Sequence, residues 1–501
     1  MHPPLLVDLT STRLAPDERE LLAHPGVAGV CLFSRNLESV AQGRDLVEAI
    51  LAAAARPLII AIDQEGGTVV RLPGASVAPS AMALGAVDDV ELSERLGRAT
   101  GRGVRRIGVN VDFAPVADVQ SNPGNPVIAE RAFGADPQHV ARHVAAFVRG
   151  LQDVGVAATL KHFPGHGDVA VDSHLALPRL EADAWRLATL EWPPFEAGIA
   201  VGAAAVMSAH LLVSALDPEL PSTLSRATLE GVLRERLGFG GVLFSDALDM
   251  RAIAERWDAG EAALRALNAG IDVPVLCNRP MREHLAALEA LERGVREGRI
   301  DPARVGSATE RIAALLAAYP NGAADSDSDR LARDAQAESE AATRAISAVG
   351  TPATLQPGRP VALLGRGAVA AGAASDAATP VAALRDALAA VDVPVVWAEQ
   401  LADLEPHLGE VQALVIASSE RTPWSDAERT RYRVAAEAAL RRSLPALHVA
   451  LWNPAHVRDL PLPALISYGF RPASVRAVAH ALLGATAPGR VPIPLEPAGD
   501  A

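Results

Sequence analysis

The stretch KHFPGHGDVAVDSH, residues 161–174, concentrates side chains that move protons and hold polar ligands. Its Lys161 is the only lysine in a chain of 501 residues in which Lys and Arg together number 46. A composition that has drifted so far towards arginine would have converted an indifferent surface lysine, so a use for the compact, three-donor ammonium is the simpler reading. Three of the chain's 13 histidines, His162, His166 and His174, fall in the same Gly-rich stretch. Asp172 and His174 are two residues apart, and in extended backbone both side chains point the same way. The carboxylate can then hydrogen-bond one ring nitrogen, fix the tautomer and raise the basicity of the other. An Asp–His pair of this kind, on a loop over a polar pocket, is a device for proton transfer.

Those residues need elements to bring them together. Short apolar runs at 5–11, 27–34, 57–64, 109–116, 156–163, 204–213, 241–248 and 270–277 read as buried strands. Amphipathic helical stretches such as DPQHVARHVAAFVRGLQ and the Ser-capped SRATLEGVLRERLG lie between most of them. Near-continuous apolar strands alternating with helices predict a parallel sheet covered by helices, and this many units predict a (β/α)8 barrel over residues 1–320 rather than an open doubly wound sheet. The small, acidic segment PNGAADSDSD and a helix from Arg330 to about Ser347 predict a linker and connecting helix over 321–356. The pattern then restarts at 360–367, 393–400, 413–420, 446–453 and 464–469, predicting a smaller α/β sandwich with a parallel sheet over 357–501.

A barrel of this type gathers its chemistry where the strands end. Asp63, Gln64 and Glu65 follow the third strand; Asp118 and, through a Gly/Pro/Asn loop, Arg131 follow the fourth. Lys161 and His162 close the fifth, with His166, Asp168, Asp172 and His174 on its loop; His210 follows the sixth, and Ser245 and Asp246 close the seventh. One rim therefore collects carboxylates, imidazoles, an ammonium and a guanidinium. No Gly-rich phosphate loop or CxxC pattern offers a cofactor site, so none is expected. Cys31 and Cys277 each sit in an apolar run, which predicts core packing rather than a disulfide or a metal site.

The net charge of −14 and sequence pI near 5.4 argue against nucleic acid or an anionic membrane surface as partner. A small neutral or weakly charged ligand, a cytoplasmic location without a membrane segment, and a monomer are the expectations. Two other classes compete. A metal-dependent barrel hydrolase would use His162, His166, Asp168 and His174 as ligands, leaving Asp246 without a distinct role. A non-catalytic sugar-binding protein would keep Asp63, Arg131 and Lys161 but have no need of both Asp246 and His174.

KHFPGHGDVAVDSH, together with IDQEGG at 62–67, ERAFG at 130–134 and SDALDM at 245–250, resembles the glycoside hydrolase family 3 β-N-acetylglucosaminidases, the NagZ-like β-hexosaminidases of bacterial cell-wall recycling. The likeness runs over residues 1 to about 320. It implies a retaining glycosidase acting on terminal β-linked N-acetylglucosamine, with Asp246 as nucleophile, His174 as general acid/base and Asp172 as its partner. It also implies that Asp63, Arg71, Arg131, Lys161 and His162 bind the sugar. Muropeptides are the substrate it suggests. Phosphorolysis in place of hydrolysis, or a β-glucosidase activity, are the alternatives within the family. The complete DSH loop leaves the C-terminal domain no acid/base residue to supply, so a packing or modulating role is expected for it.

Overall fold

The computed structural model describes residues 2–325, 327–369 and 378–495. Eight parallel strands close a barrel: β1 (Leu5–Asp8), β2 (Val27–Leu32), β3 (Ile59–Ile62), β4 (Val111–Asp112), β5 (Ala157–Phe163), β6 (Ala205–Ser208), β7 (Val242–Ala247) and β8 (Val273–Val275). Each falls inside one of the apolar runs read from the sequence. The pairing of Leu6 with Val275 closes the ring.

The runs are apolar throughout because both faces of each strand are buried. Leu6, Ile59, Ala61, Val111, Phe113 and Phe244 point into the barrel. Their neighbours Leu5, Val7, Ile60 and Ile62 point outward and pack under the helices. Phe113 and Phe244 meet edge to face at 5.2 Å across the interior, a pairing that contributes about 1 kcal/mol beyond its buried area. Below them the helix Pro302–Ala318 sends Leu315 into the same cluster and plugs the amino-terminal mouth. Helix Pro137–Gln152 is capped by Asp136, whose side chain accepts from the His139 N–H. Ser225 likewise accepts from the Thr228 N–H at the head of the helix that follows it.

The second sheet has six strands: β9 (Ser347–Val349), β10 (Val361–Leu364), β11 (Val395–Ala398), β12 (Leu414–Ser418), β13 (Ala446–Ala450) and β14 (Ala464–Ile466), in the order β9-β14-β13-β12-β10-β11. Apolar clusters on both faces make it an α/β sandwich. The sheet differs from the expected parallel one at its edge, where β9 pairs antiparallel with β14. This strand follows directly on the connecting helix Ser328–Ala345, inside the stretch expected to be linker. Its three residues carry no apolar run, so nothing in the sequence marks it; backbone pairing with β14 makes it a strand.

The helix Ala81–Val87 of the barrel docks on this domain. Its Met82, Ala83 and Ala86 share an apolar cluster with Tyr468 and Ile493. The Ser80 hydroxyl donates to the Tyr468 carbonyl at 2.6 Å, and the chain near its end returns to the barrel through Arg490 N–H to Ala86 O and Ala135 N–H to Pro492 O. Among the described residues no helix is long and apolar enough to cross a membrane.

The barrel floor depends on one carboxylate. Asp272, buried just before β8, accepts from Arg234 Nη2 at 2.7 Å, Arg311 Nη1 at 2.8 Å and the Leu243 N–H at 2.9 Å. It thereby ties the plugging helix to the strands. Asp272→Asn leaves two guanidinium groups facing no carboxylate and is expected to lose about 3 kcal/mol of stability, read as a lower urea midpoint at unchanged slope. A midpoint equal to that of the parent would show that the two arginines do not depend on it.

Candidate active site

The carboxyl-terminal ends of β3, β5 and β7 and the loops after β4 and β5 surround one pocket. Asp63, Arg71, Arg131, Lys161, His162, His174 and Asp246 all line it. Asp172 stands behind His174, so the structure brings together all eight residues singled out from the sequence.

Lys161 is 2% exposed. Its Nζ lies 2.7 Å from Asp63 Oδ1 and 2.6 Å from Glu65 Oε1. Burial works against the ammonium, but the two carboxylates outweigh it and hold its pKa above the ordinary lysine value. Glu65 in turn accepts both arms of Arg131, Nε and Nη2 each at 2.8 Å. Burial opposes its charge too, and Arg131 and Lys161 overcome that and hold its carboxyl far below the usual range. Arg131 Nη2 reaches on to His162 Nε2 at 3.4 Å, and His162 Nδ1 meets Asp118 Oδ2 at 2.7 Å. Charge thus alternates from Asp63 through Lys161 and Glu65 to Arg131, and His162 carries the array on to Asp118 by hydrogen bonds. Arg71 faces the same pocket, its backbone N–H bonded to Gln64 Oε1 at 2.9 Å.

The loop that carries His166 and Asp172 is pinned from below. Asp118 Oδ1 accepts the His162 and His166 N–H groups at 3.1 and 2.7 Å. Asn125 Nδ2 donates to the carbonyls of His166 and Gly167. Gly167 permits this close approach: a Cβ there would stand 1.6 Å from the Val119 carbonyl oxygen. Beyond this anchor, Asp172 Oδ1 accepts the His174 N–H at 2.9 Å and meets His174 Nδ1 at 2.7 Å. Since a carboxylate only accepts, Nδ1 carries the hydrogen and Nε2 is the nitrogen left to hold or release a proton. His174 is 32% exposed, at the pocket mouth.

Asp246 closes β7 at the pocket floor, with Oδ1 accepting the Ala247 N–H at 2.8 Å. Burial opposes its ionisation; the imidazoles of His210, His162 and His174 outweigh that and hold the carboxyl below its ordinary range. Its neighbour Asp249 lines the same pocket but accepts from the Cys277 N–H at 3.1 Å, and burial pushes its pKa up. The pocket floor also holds the thiols of Cys31 and Cys277, both free and buried.

The four ligands of the metal-hydrolase reading do not converge. Asp168 turns away to Arg186 at 2.9 Å and Ser121 at 3.3 Å. His166 Nε2 goes to Ser173 Oγ at 3.2 Å, and His162 and His174 are each committed to an aspartate. Sequence reasoning placed Glu65 and Asp118 on the rim without assigning them work. Their partners come from other strands and loops, so no spacing shows them. It missed Arg421 altogether. This arginine, just after β12 in the second domain, helps to hold Asp172 ionised once burial and the His174 hydrogen bonds are counted.

The sequence model of the glycosyl hydrolase family 3 N-terminal domain matches residues 6–315. A β-hexosaminidase of Stenotrophomonas maltophilia strain K279a is 43% identical over 283 residues, covering 55% of this chain and 83% of the relative. Among solved structures, a glycoside hydrolase family 3 β-N-acetylglucosaminidase from Paenibacillus sp. str. FPU-7 is similar at 33% identity and a TM-score of 0.91, with 98% of this chain and 97% of that one covered. NagZ from Neisseria gonorrhoeae in complex with N-trifluoroacetyl-D-glucosamine is similar at 30% identity and a TM-score of 0.56 over 67% of this chain and 98% of its own. The similarity to the Paenibacillus enzyme therefore extends through both domains.

One buried acid supports the loop from beneath. Glu191 is fully buried against Gly165, and burial pushes its carboxyl up to about 8. An unfolded glutamate titrates near ~4.3. Between the two values the unfolded chain has released a proton that the folded protein keeps, so stability falls as pH rises through that window and levels off above about 8. Glu191→Gln removes this dependence. Urea midpoints at several pH values are expected to show the variant gaining on the parent steadily from about pH 4 to about pH 8. A difference that does not change with pH would mean that Glu191 is ionised in the folded protein.

Proposed function

The chain belongs to glycosyl hydrolase family 3, and we propose from that premise and the rim geometry that Asp246 and His174 carry out retaining hydrolysis of terminal β-linked N-acetylglucosamine. The protein is a glycosidase, a β-N-acetylhexosaminidase, as its similarity to named β-hexosaminidases and to a β-N-acetylglucosaminidase over both domains supports. One observation carries the reading: an ionised carboxylate at the pocket floor faces the same cavity as an Asp-held imidazole at its mouth.

The sugar's hydroxyl groups meet Asp63, Lys161, Arg131, His162 and Arg71, which together offer both acceptors and donors. Asp246 Oδ1 is fixed by the Ala247 N–H, which orients the carboxylate for attack through its other oxygen on the anomeric carbon. His174, protonated on Nε2 and stabilised as an imidazolium by Asp172, gives that proton to the departing glycosidic oxygen. The bond from Asp246 to the sugar forms as the bond to the aglycone breaks. In the second half His174, now neutral, takes a proton from water, whose oxygen displaces Asp246 from the opposite face. Two inversions retain the configuration. Most retaining glycosidases use a second carboxyl group for the proton. A neutral imidazole avoids placing two carboxylates at one reacting centre, where each would raise the other's pKa. The resemblance to cell-wall-recycling enzymes supports muropeptide fragments as the natural substrate, a cytoplasmic site of action and a monomer.

Asp246→Ala is expected to abolish turnover of a chromogenic β-N-acetylglucosaminide while leaving the melting curve close to that of the parent. Residual activity within about tenfold would move the nucleophile elsewhere. His174→Ala is expected to slow substrates with poor leaving groups far more than activated aryl glycosides, because only the former need protonation. Equal losses would reduce His174 to a structural residue.

Lys161→Arg tests the lone ammonium. Nζ fits between Asp63 and Glu65 as a point charge, whereas a planar guanidinium is too wide for that gap and disturbs the carboxylates on which the sugar rests. Loss of one or two charge-assisted hydrogen bonds, each about 1.5–3 kcal/mol, predicts a kcat/KM lower by roughly tenfold to several hundredfold. The comparison is made at a temperature where both proteins are folded, and near-parent kcat/KM would show that the pocket tolerates either cation.

A further inference from the structure

We propose that Asp88, His139 and His143 form a binding site for one divalent transition-metal ion, Zn²⁺ by the chemistry of its donors, on the outer wall of the barrel. None of the three lines the sugar pocket. His139 and His143 are one turn apart on the helix Pro137–Gln152, so both imidazoles project from one face, ring centroids 4.6 Å apart. Asp88 comes from the end of the helix Ala81–Val87, where it adopts a left-handed backbone with φ of 51°.

The donor atoms are already spaced as ligands. Asp88 Oδ1 lies 3.3 Å from His139 Nδ1 and 3.6 Å from His143 Nε2. All three donor atoms fall within 4.8 Å of one another, and this is the one such group of three or more among the described residues. A tetrahedral ion with bonds of about 2.0–2.1 Å holds its ligand atoms roughly 3.3 Å apart.

His143 can adopt the tautomer that a metal needs. Its Nδ1 is 2.7 Å from Ser93 Oγ, and with the hydrogen there the Nε2 lone pair is aimed at Asp88. The ring is 0% exposed and stacks on Phe133, and Nε2 has no hydrogen-bond partner. His139 is packed so that a Cβ on Gly85 would come within 3.1 Å of its Nε2, which leaves Nδ1 to face the carboxylate. A cation stands beside this spot. Arg142 Nη2 stands 3.4 Å from Asp88 Oδ1 and 3.3 Å from His139 Nδ1. Its side chain is 53% exposed, so it can swing into solvent when a metal takes its place. Asp136 is engaged in capping the same helix, which leaves the fourth position to water. Two imidazoles and one carboxylate suit Zn²⁺ or Co²⁺ and not Mg²⁺ or Ca²⁺, which take oxygen ligands. The ion would join the helix that docks on the second domain to the barrel wall. This is structural work, outside the motifs from which no metal was expected.

The test is a titration of the full-length, chelator-stripped protein with Zn²⁺, followed by calorimetry and by melting temperature, with Co²⁺ absorption reporting a tetrahedral site. One ion per chain is expected, with a raised Tm. Asp88→Asn and His139→Gln, at positions that reach solvent, are each expected to weaken binding by about tenfold or more, and Arg142→Gln to tighten it severalfold. His174→Ala, which removes the exposed imidazole of the sugar pocket, should bind as the parent does, and Asp88→Asn should retain glycosidase activity. Absence of stoichiometric binding, binding undiminished in Asp88→Asn, or binding lost in His174→Ala would each overturn the assignment.

Discussion

A buried ammonium is tolerable only where its charge is matched at contact distance, and the site is organised around that constraint. Lys161, with Asp63 on one side and Glu65 on the other, loses its water and regains two ion pairs. Glu65 can face Lys161 only because Arg131 grips both its oxygens, and Arg131 is next to His162, which Asp118 holds. Removing Glu65 leaves the buried Arg131 without its carboxylate, a broken pair of the kind that costs about 3–5 kcal/mol, whereas Lys161 keeps Asp63. These residues come from the ends of β3 and β5 and from the loop after β4, so the array holds three parts of the barrel rim in one arrangement. A saccharide bound there meets polar groups that need not reorganise to receive it.

The same principle separates the acids by environment. Asp246 stays ionised because imidazoles surround it, and Asp172 because His174 lies against it. Asp112 and Glu191, buried nearby with weaker compensation, have carboxyls pushed up to about 8. Carboxyl groups of one chemistry thus part by their surroundings, Asp246 and Asp172 favoured as carboxylates and Asp112 and Glu191 as neutral acids. The contrast fits the nucleophilic role proposed for Asp246 without any difference in residue type.

Much of this was legible in the sequence, for identifiable reasons. The barrel strands were visible because burial on both faces demands apolar runs, and the rim residues because each follows such a run directly. The Asp172–His174 contact could be foreseen because it is local, two residues along one segment. What escaped was what forms through space. Asp118 serves two histidines on the neighbouring strand and its loop, and Glu65 bridges to Lys161 and Arg131, which lie far along the chain. The strand Ser347–Val349 escaped because its partner, not its composition, makes it a strand. The metal-ligand reading of His162, His166, Asp168 and His174 failed for the converse reason: closeness in sequence concealed side chains that turn in different directions.

Arg421 bears on why a barrel that contains its own proposed nucleophile and acid carries a second domain. The imidazole of His174, the proposed acid/base, depends on the ionisation of Asp172, and Arg421 adds to the local groups that secure it. Arg421 also interacts with Glu130, the neighbour of Arg131, while Thr68 Oγ1 donates to Glu130 Oε1 at 2.7 Å. Among the described residues the second domain therefore acts on the proposed acid/base pair and on the proposed sugar-binding array together, by charge, with none of its side chains lining the pocket. Such an influence requires a fixed distance between the domains. The contacts of Ser80, Met82 and Ala86 with Tyr468, Ile493 and the returning chain supply it. The domain interface is in this sense part of the active site's electrostatics, and a change that loosened it would reach His174 through Asp172 before it reached the sugar.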